Sequence, residues 1–247
     1  MKSKRYKLLD IIRGITLLSM IMYHAVWDIV YIFGADWTWY ESEIAHIWQQ
    51  SICWCFILLS GFCWSLGSKK LKRALTVLMA GCLVSVVTLI FMPRQAIMYG
   101  VLTLLGSSML FMIPLDKVLK NCHPVWGAML SFLVFILFKK VNWGVLGIGA
   151  LELVRLPDSL YANSFTTYLG FTSPGFRSTD YFSLLPWFFL FLTGYFIYGI
   201  AERQELLEHL KGWKSVVLAW IGRHSLLIYM LHQPVIYGVL FVVFRVL

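Results

Sequence analysis

Residues 8–33 read LLDIIRGITLLSMIMYHAVWDIVYIF, an apolar run longer than the roughly 20 residues that a transmembrane helix needs. Lys2, Lys4, Arg5 and Lys7 precede it, as basic residues precede the apolar core of a secretory signal peptide. The run is too long for such a core, and no small-residue cleavage site closes it. It reads as a membrane anchor that stays in the chain.

The rest of the sequence agrees. Of 247 residues, 60% are hydrophobic and 13% charged, with a mean hydropathy of +0.75. A soluble domain carries about 25% charged residues, so this chain has too few to solvate a globular surface. That excludes a cytosolic enzyme, a nucleic-acid binder and a disordered chain, despite a net charge of +9. Apolar runs bounded by charges or turns fall at 8–33, 46–67, 74–92, 96–113, 124–138, 181–200 and 224–246. They predict an all-α polytopic bundle of about seven transmembrane helices. Met92-Pro93-Arg94-Gln95 is a tight hairpin between the third and fourth.

Basic residues set orientation in membrane proteins, because cytoplasmic loops collect them. With the N-terminus inside, Lys2, Lys4, Arg5, Lys7, Arg13, Lys69, Lys70, Lys72, Arg73, Lys117, Lys120, Arg203, Lys211, Lys214 and Arg223 all lie on the inner side. Only Arg94, Lys139, Lys140, Arg155, Arg177 and Arg245 lie outside. The expectation is N-in and C-out, with the positive charge spent on topology.

Two connections stand out. Residues 139–180 form a long outer loop that opens with VNWGVLGIGALELV, apolar and glycine-rich. This piece suits a re-entrant or interfacial segment, and it shows neither a strand pattern nor a GxGxxG dinucleotide fingerprint. The second half, PDSLYANSFTTYLGFTSPGFRSTD, is polar, aromatic and turn-rich, the composition of a recognition loop. On the inner side, ERQELLEHLKGWK (202–214) reads as a charged amphipathic linker. Cys53, Cys55, Cys63, Cys82 and Cys122 form no disulfide framework, and the first two fall on opposite sides of a helix, so no metal is expected.

Ionisable groups inside a membrane are costly and mark function. The first span holds Asp10, Arg13, His24 and Asp28, which at helical periodicity share a stripe about 60° wide. Asp10 and Arg13 are spaced to pair. His24 and Asp28 are one turn apart, so the carboxylate can orient the imidazole as a general base for a hydroxyl or amine. His24 lies about 24 Å along the helix from Leu8, toward the outer half of the membrane. In the last span Ser225, Tyr229 and His232 share a face, and Pro234 is expected to kink the helix and free a carbonyl near His232. The sixth span opens with Asp180-Tyr181 and contains Pro186-Trp187, which read as a helix kink and an interfacial aromatic belt. His46, His123, His209 and His224 sit at span ends or in loops and read as ordinary.

These motifs carry a resemblance. LLDIIRGITLLSMIMYH, with Arg13 and His24 in the first span, resembles the first-helix motif of the transmembrane acyltransferase superfamily. GRHSLLIYMLHQPV (222–235) resembles the S-x-x-x-Y-x-x-H-x-P ending of acyltransferase family 3. STDYFSLLPWFFLFLTGYFIYG (178–199) is similar to the penultimate helix of bacterial proteins with the heparan-α-glucosaminide N-acetyltransferase catalytic domain, the nearest of the three. The resemblance implies one membrane-embedded acyltransferase-like domain over residues 1–247, in a bacterial plasma membrane. It implies an acyl-CoA donor, acetyl-CoA in the simplest case, entering from the cytoplasm, and a sugar or glycoconjugate acceptor with an amine or hydroxyl on the other side. His24 would be the catalytic base beside Asp28, with Asp10, Arg13, Tyr229 and His232 toward the acyl-CoA or the oxyanion. Asp180 and Trp187 would face the acceptor, and the basic run Lys69–Arg73 could meet the CoA phosphates. Self-association into a homo-oligomer stays open.

Two other classes compete. In a small proton-coupled transporter or channel the His24/Asp28 stripe would relay protons, although no inverted repeat or pair of broken helices accompanies it. In a non-enzymatic assembly subunit the polar stripes would only join helices.

Overall fold

The computed structural model describes residues 6–212 and 215–245. Lys2, Lys4, Arg5, Lys214 and the side chain of Arg245, all used to orient the chain, lie outside the described residues.

Each predicted span is a helix: α1 Lys7–Tyr31, α2 Glu43–Phe62, α3 Lys70–Phe91, α4 Val101–Leu119 and α5 Pro124–Phe138. After a hairpin of β1 Val145–Ile148 and β2 Leu151–Arg155 come the short α6 Ser164–Leu169, then α7 Leu184–Arg203, α8 Val216–Arg223 and α9 Ser225–Arg245. The protein is thus an all-α polytopic membrane protein. Among the described residues six helices are long and apolar enough to cross a bilayer. The second predicted span is not among them: α2 has 20 residues, but His46, Gln49 and Gln50 lower its apolarity. The contacts divide into two compact units, Met1–Leu59 with Glu202–Leu247, and Ser60–Ala201.

In the first unit α1 packs on α8 backbone to backbone. A Cβ on Gly14 would stand 2.2 Å from the Leu218 carbonyl oxygen, and one on Gly222 would stand 1.9 Å from that of Asp10. Glycine at both positions removes the steric bar, and close approach gains dispersion contacts where lipid supplies no hydrophobic drive. α8 is a helix that the sequence reading left unassigned, between the linker at 202–214 and the last span at 224–246. Ser215 caps it by accepting from the Leu218 N–H at 3.4 Å. Leu17, Met20 and Ile52 form the local core, with Trp48, Phe56, Ile221, Ile228 and Tyr229 around it. Trp48 Nε1 donates to Ser19 Oγ at 2.8 Å, so the indole's one polar atom is satisfied.

In the second unit α3 and α4 lie antiparallel and use the same device. Cβ atoms on Gly81 and Gly106 would fall 2.7 Å from Thr103 N and 2.5 Å from Leu78 N. Lys70 Nζ donates to Asp116 Oδ2 at 2.7 Å, and Tyr195 Oη to Asp116 Oδ1 at 2.8 Å. The predicted fourth span starts too early: 3-10 geometry covers Pro93–Gln95, and α4 begins only at Val101. The intervening residues are held by side chains and backbone from 178–182, with Met98 N–H donating to Ser178 Oγ at 2.9 Å and Phe182 N–H to the Tyr99 carbonyl at 2.9 Å. Those partners are distant in sequence, so hydropathy alone does not see the delay.

The glycine-rich start of the long connection is corrected as well. It is an antiparallel hairpin with Val145 opposite Arg155 and Ile148 opposite Leu151, rather than a segment without strands. Gly149-Ala150 is its two-residue loop, and Gly149 at φ +57° supplies the positive φ that such a turn requires at its first central position.

Candidate functional site

α1 and α9 bring together groups more than 200 residues apart in sequence. The rings of His24 and His232 lie 4.9 Å apart at an interplanar angle of 60°. Tyr229, three residues before His232, stands 5.3 Å from it, ring to ring. One turn beyond His24 on α1, Asp28 is fully buried. The predicted pairing of Asp28 with His24 is replaced by another: Gln233 Nε2 donates to Asp28 Oδ1 at 2.6 Å. Gln233 is the site residue that the sequence reading missed. A Gln beside a Pro is an unremarkable dipeptide, and its partner lies 205 positions away.

The hydrogen bonds fix the chemistry of the remaining atoms. His232 Nδ1 lies 2.5 Å from the Tyr229 carbonyl oxygen. A carbonyl only accepts, so Nδ1 carries the proton and Nε2 of the neutral ring keeps its lone pair. Gln233 must turn its NH2 toward the carboxylate, which leaves Oε1 as an acceptor. Among the described residues His232 Nε2, Asp28 Oδ2 and Gln233 Oε1 are buried and meet no hydrogen-bond partner. With the Asp28 carboxyl ionised, all three are acceptors. A buried polar atom left unpaired costs about 1–3 kcal/mol, so three in one place mark a site that expects a hydrogen-bond donor. The predicted kink does not break α9, which runs helical through Pro234.

Asp10 and Arg13 pair as expected, at 3.6 Å, on the turn of α1 that meets α8. Along α1, at 1.5 Å per residue, Arg13 lies about 16 Å and Asp10 about 21 Å from His24. They are therefore out of contact with the histidine pair.

Asp180 and Trp187 belong to the second unit. Asp180 Oδ2 accepts the Val101 N–H at 3.3 Å and so closes the N-terminus of α4, where a carboxylate is favoured. Burial pushes its carboxyl up to about 6, although the Val101 hydrogen bond pulls the other way. Trp187 is buried between Phe135 at 5.4 Å and Phe182 at 5.0 Å. In the basic run, Lys70 and Arg73 lie over the Trp64 ring at 4.9 and 5.9 Å. Arg73 also donates to the Cys63 carbonyl at 3.3 Å. Among the described residues no group of three His, Cys, Asp or Glu side chains could hold a metal ion.

The family model described as "Heparan-alpha-glucosaminide N-acetyltransferase, catalytic" matches residues 5–234. The match begins just before α1 and ends at Pro234, so it takes in His24, Asp28, Tyr229, His232 and Gln233. No curated protein and no solved structure matches the chain.

Proposed function

We propose, for a chain that belongs to the heparan-α-glucosaminide N-acetyltransferase catalytic family and is thereby a membrane acetyltransferase, that His24 and His232 form its reaction centre. The donor is acetyl-CoA or a related acyl-CoA, and the acceptor is a sugar amine or hydroxyl. The observation that carries the reading is the trio of buried acceptors beside the paired rings. An amine or a hydroxyl brings the N–H or O–H donors that Asp28, Gln233 and His232 lack.

In this reading His24 is the general base. As the acceptor nitrogen or oxygen attacks the thioester carbonyl, its proton passes to the His24 ring, and the carbon–sulfur bond breaks when the tetrahedral intermediate collapses. CoA leaves as the thiolate and takes up a proton. The His24 imidazolium formed on the way faces the His232 ring, whose free Nε2 can accept from it. His232 thus stabilises the protonated base, and donation to the oxyanion falls to other groups, with the Tyr229 ring 5.3 Å from that of His232 as a candidate. Asp28, held by Gln233, supplies negative charge one helical turn from the base. Arg13, paired with Asp10, is a structural charge or a donor-side contact.

The family match runs through both compact units, which supports reading residues 1–247 as one catalytic domain. With α2 as a seventh crossing the chain is N-in and C-out, and His24 faces the outer half of a bacterial plasma membrane. The Lys69–Arg73 run then lies on the cytoplasmic side, where the CoA phosphates arrive.

The test is transfer of labelled acetyl from acetyl-CoA by the purified protein in nanodiscs, offered hexosamines and neutral sugars. Acetylated sugar and free CoA in equal amounts support the reading. Acetyl-CoA left intact, with no binding of CoA, overturns it.

A further inference from the structure

We infer that the connector between α1 and α2 is the docking platform for a cationic sugar on its way to His24. The inference rests on the acetyltransferase reading for its acceptor, and on the following observations for its place. Trp37 and Trp39 are 41% and 45% exposed, and their rings stack at 6.5 Å and 27°. Trp39 stacks in turn on Trp48 at 6.4 Å and 22° and meets the buried Tyr40 at 5.8 Å. From there the aromatic contact is continuous to the centre. Tyr40 and Trp48 each touch Tyr23 at 5.2 Å, and the Tyr23 ring lies 6.0 Å from that of His24.

Charge gives the second observation. Asp36, Glu41 and Glu43 are exposed on this same stretch, and between Arg13 and Lys69 the sequence holds no lysine or arginine. In a chain of net charge +9 this is a local acidic field. Carboxylates beside indole faces attract an ammonium by direct charge and by cation–π contact, while the rings cover the apolar face of a sugar. Trp126, 68% exposed on α5 in the second unit, serves as the comparison, as a tryptophan outside this aromatic run. The platform would select an amino sugar bearing a free amine, and would orient that amine toward the acceptor-only site at Asp28, Gln233 and His232.

The experiment measures binding of chitosan trimer, which is cationic, and of its fully N-acetylated counterpart to the full-length protein in nanodiscs without CoA. Wild type, Trp39→Ala, the double variant Asp36→Asn/Glu41→Gln and Trp126→Ala are compared. The wild type is expected to prefer the cationic trimer, with a preference that shrinks as salt rises. Trp39→Ala weakens binding by about tenfold, the double variant removes most of the preference, and Trp126→Ala binds as wild type. In turnover the double variant raises KM for the cationic trimer and leaves kcat and the acetyl-CoA Kd near wild type. Equal binding of the two trimers, no binding of either, or equal losses in Trp39→Ala and Trp126→Ala would overturn the platform. If the trimer binds as described but no acetyl is transferred, the acetyltransferase reading fails and the sugar site stands.

Discussion

Gln233 donates its amide hydrogen to Asp28 at 2.6 Å, and this bond ties the C-terminal end of α1 to the middle of α9. It joins two polar groups that hydrocarbon would otherwise penalise, and it holds Asp28 one turn from His24. The partner of this buried carboxyl group is a neutral amide.

Replacing Gln233 with Leu leaves that carboxylate without its donor. The expected cost is about 1–3 kcal/mol of stability, seen as a lower Tm in detergent. The double variant Asp28→Leu/Gln233→Leu removes both polar groups and should recover part of that loss. Activity should fall in both variants, and a double-mutant cycle on Tm measures the coupling.

The glycine contacts predict a sharper effect. Gly222→Val places side-chain atoms where the Asp10 carbonyl oxygen lies, so α1 and α8 must separate. The expected destabilisation is about 1–3 kcal/mol or more. Gly238→Ala on α9 is the control. A Cβ there meets nothing within 4 Å, and alanine in a helix should be neutral or stabilising by about 0.5–1 kcal/mol. Thermal melts of the two variants side by side decide the point.

Asp180 gives a pH dependence of known sign. Its carboxyl is held at about 6 in the folded chain, above the value of about 3.9 for an unfolded aspartate. Between these values the folded chain retains a proton that the unfolded chain has lost, so stability falls as pH rises through the window. Asp180→Asn keeps an oxygen for the Val101 N–H and carries no charge. Subtracting its Tm from that of wild type at pH 4.5 and at pH 7 should show the variant gaining at the higher pH.

The helices were legible because each span is a local property, readable as an apolar run with charged ends. In α1 the Asp10–Arg13 pair was readable from spacing, whereas the same reasoning misassigned Asp28, whose partner is Gln233 on α9. α4 was misplaced by five residues because Ser178 and the backbone at Phe182 hold residues 98 and 99 in a non-helical bend, with Tyr99 at φ +56°. The hairpin at 145–155 was hidden by its own composition, although Gly149-Ala150 between two apolar segments is a turn signal. At the site, sequence supplied His24, His232, Tyr229 and Asp28 as facing candidates on two separate helices. It could not supply the Gln233–Asp28 bond or the Nδ1 contact that leaves His232 with a free lone pair, because both depend on distances across the packed helices or within one side chain's rotamer.

The central claim, that His24 and His232 act as one centre, is tested most directly by the acetyl-transfer kcat of His24→Ala, His232→Ala and the double variant. Acetyl-CoA binding is measured on each. Groups that act as a unit lose their effect together, so the double variant is expected to be no slower than the slower single variant, with CoA binding retained throughout. Losses that multiply, or a His24→Ala variant that turns over like wild type, would contradict it.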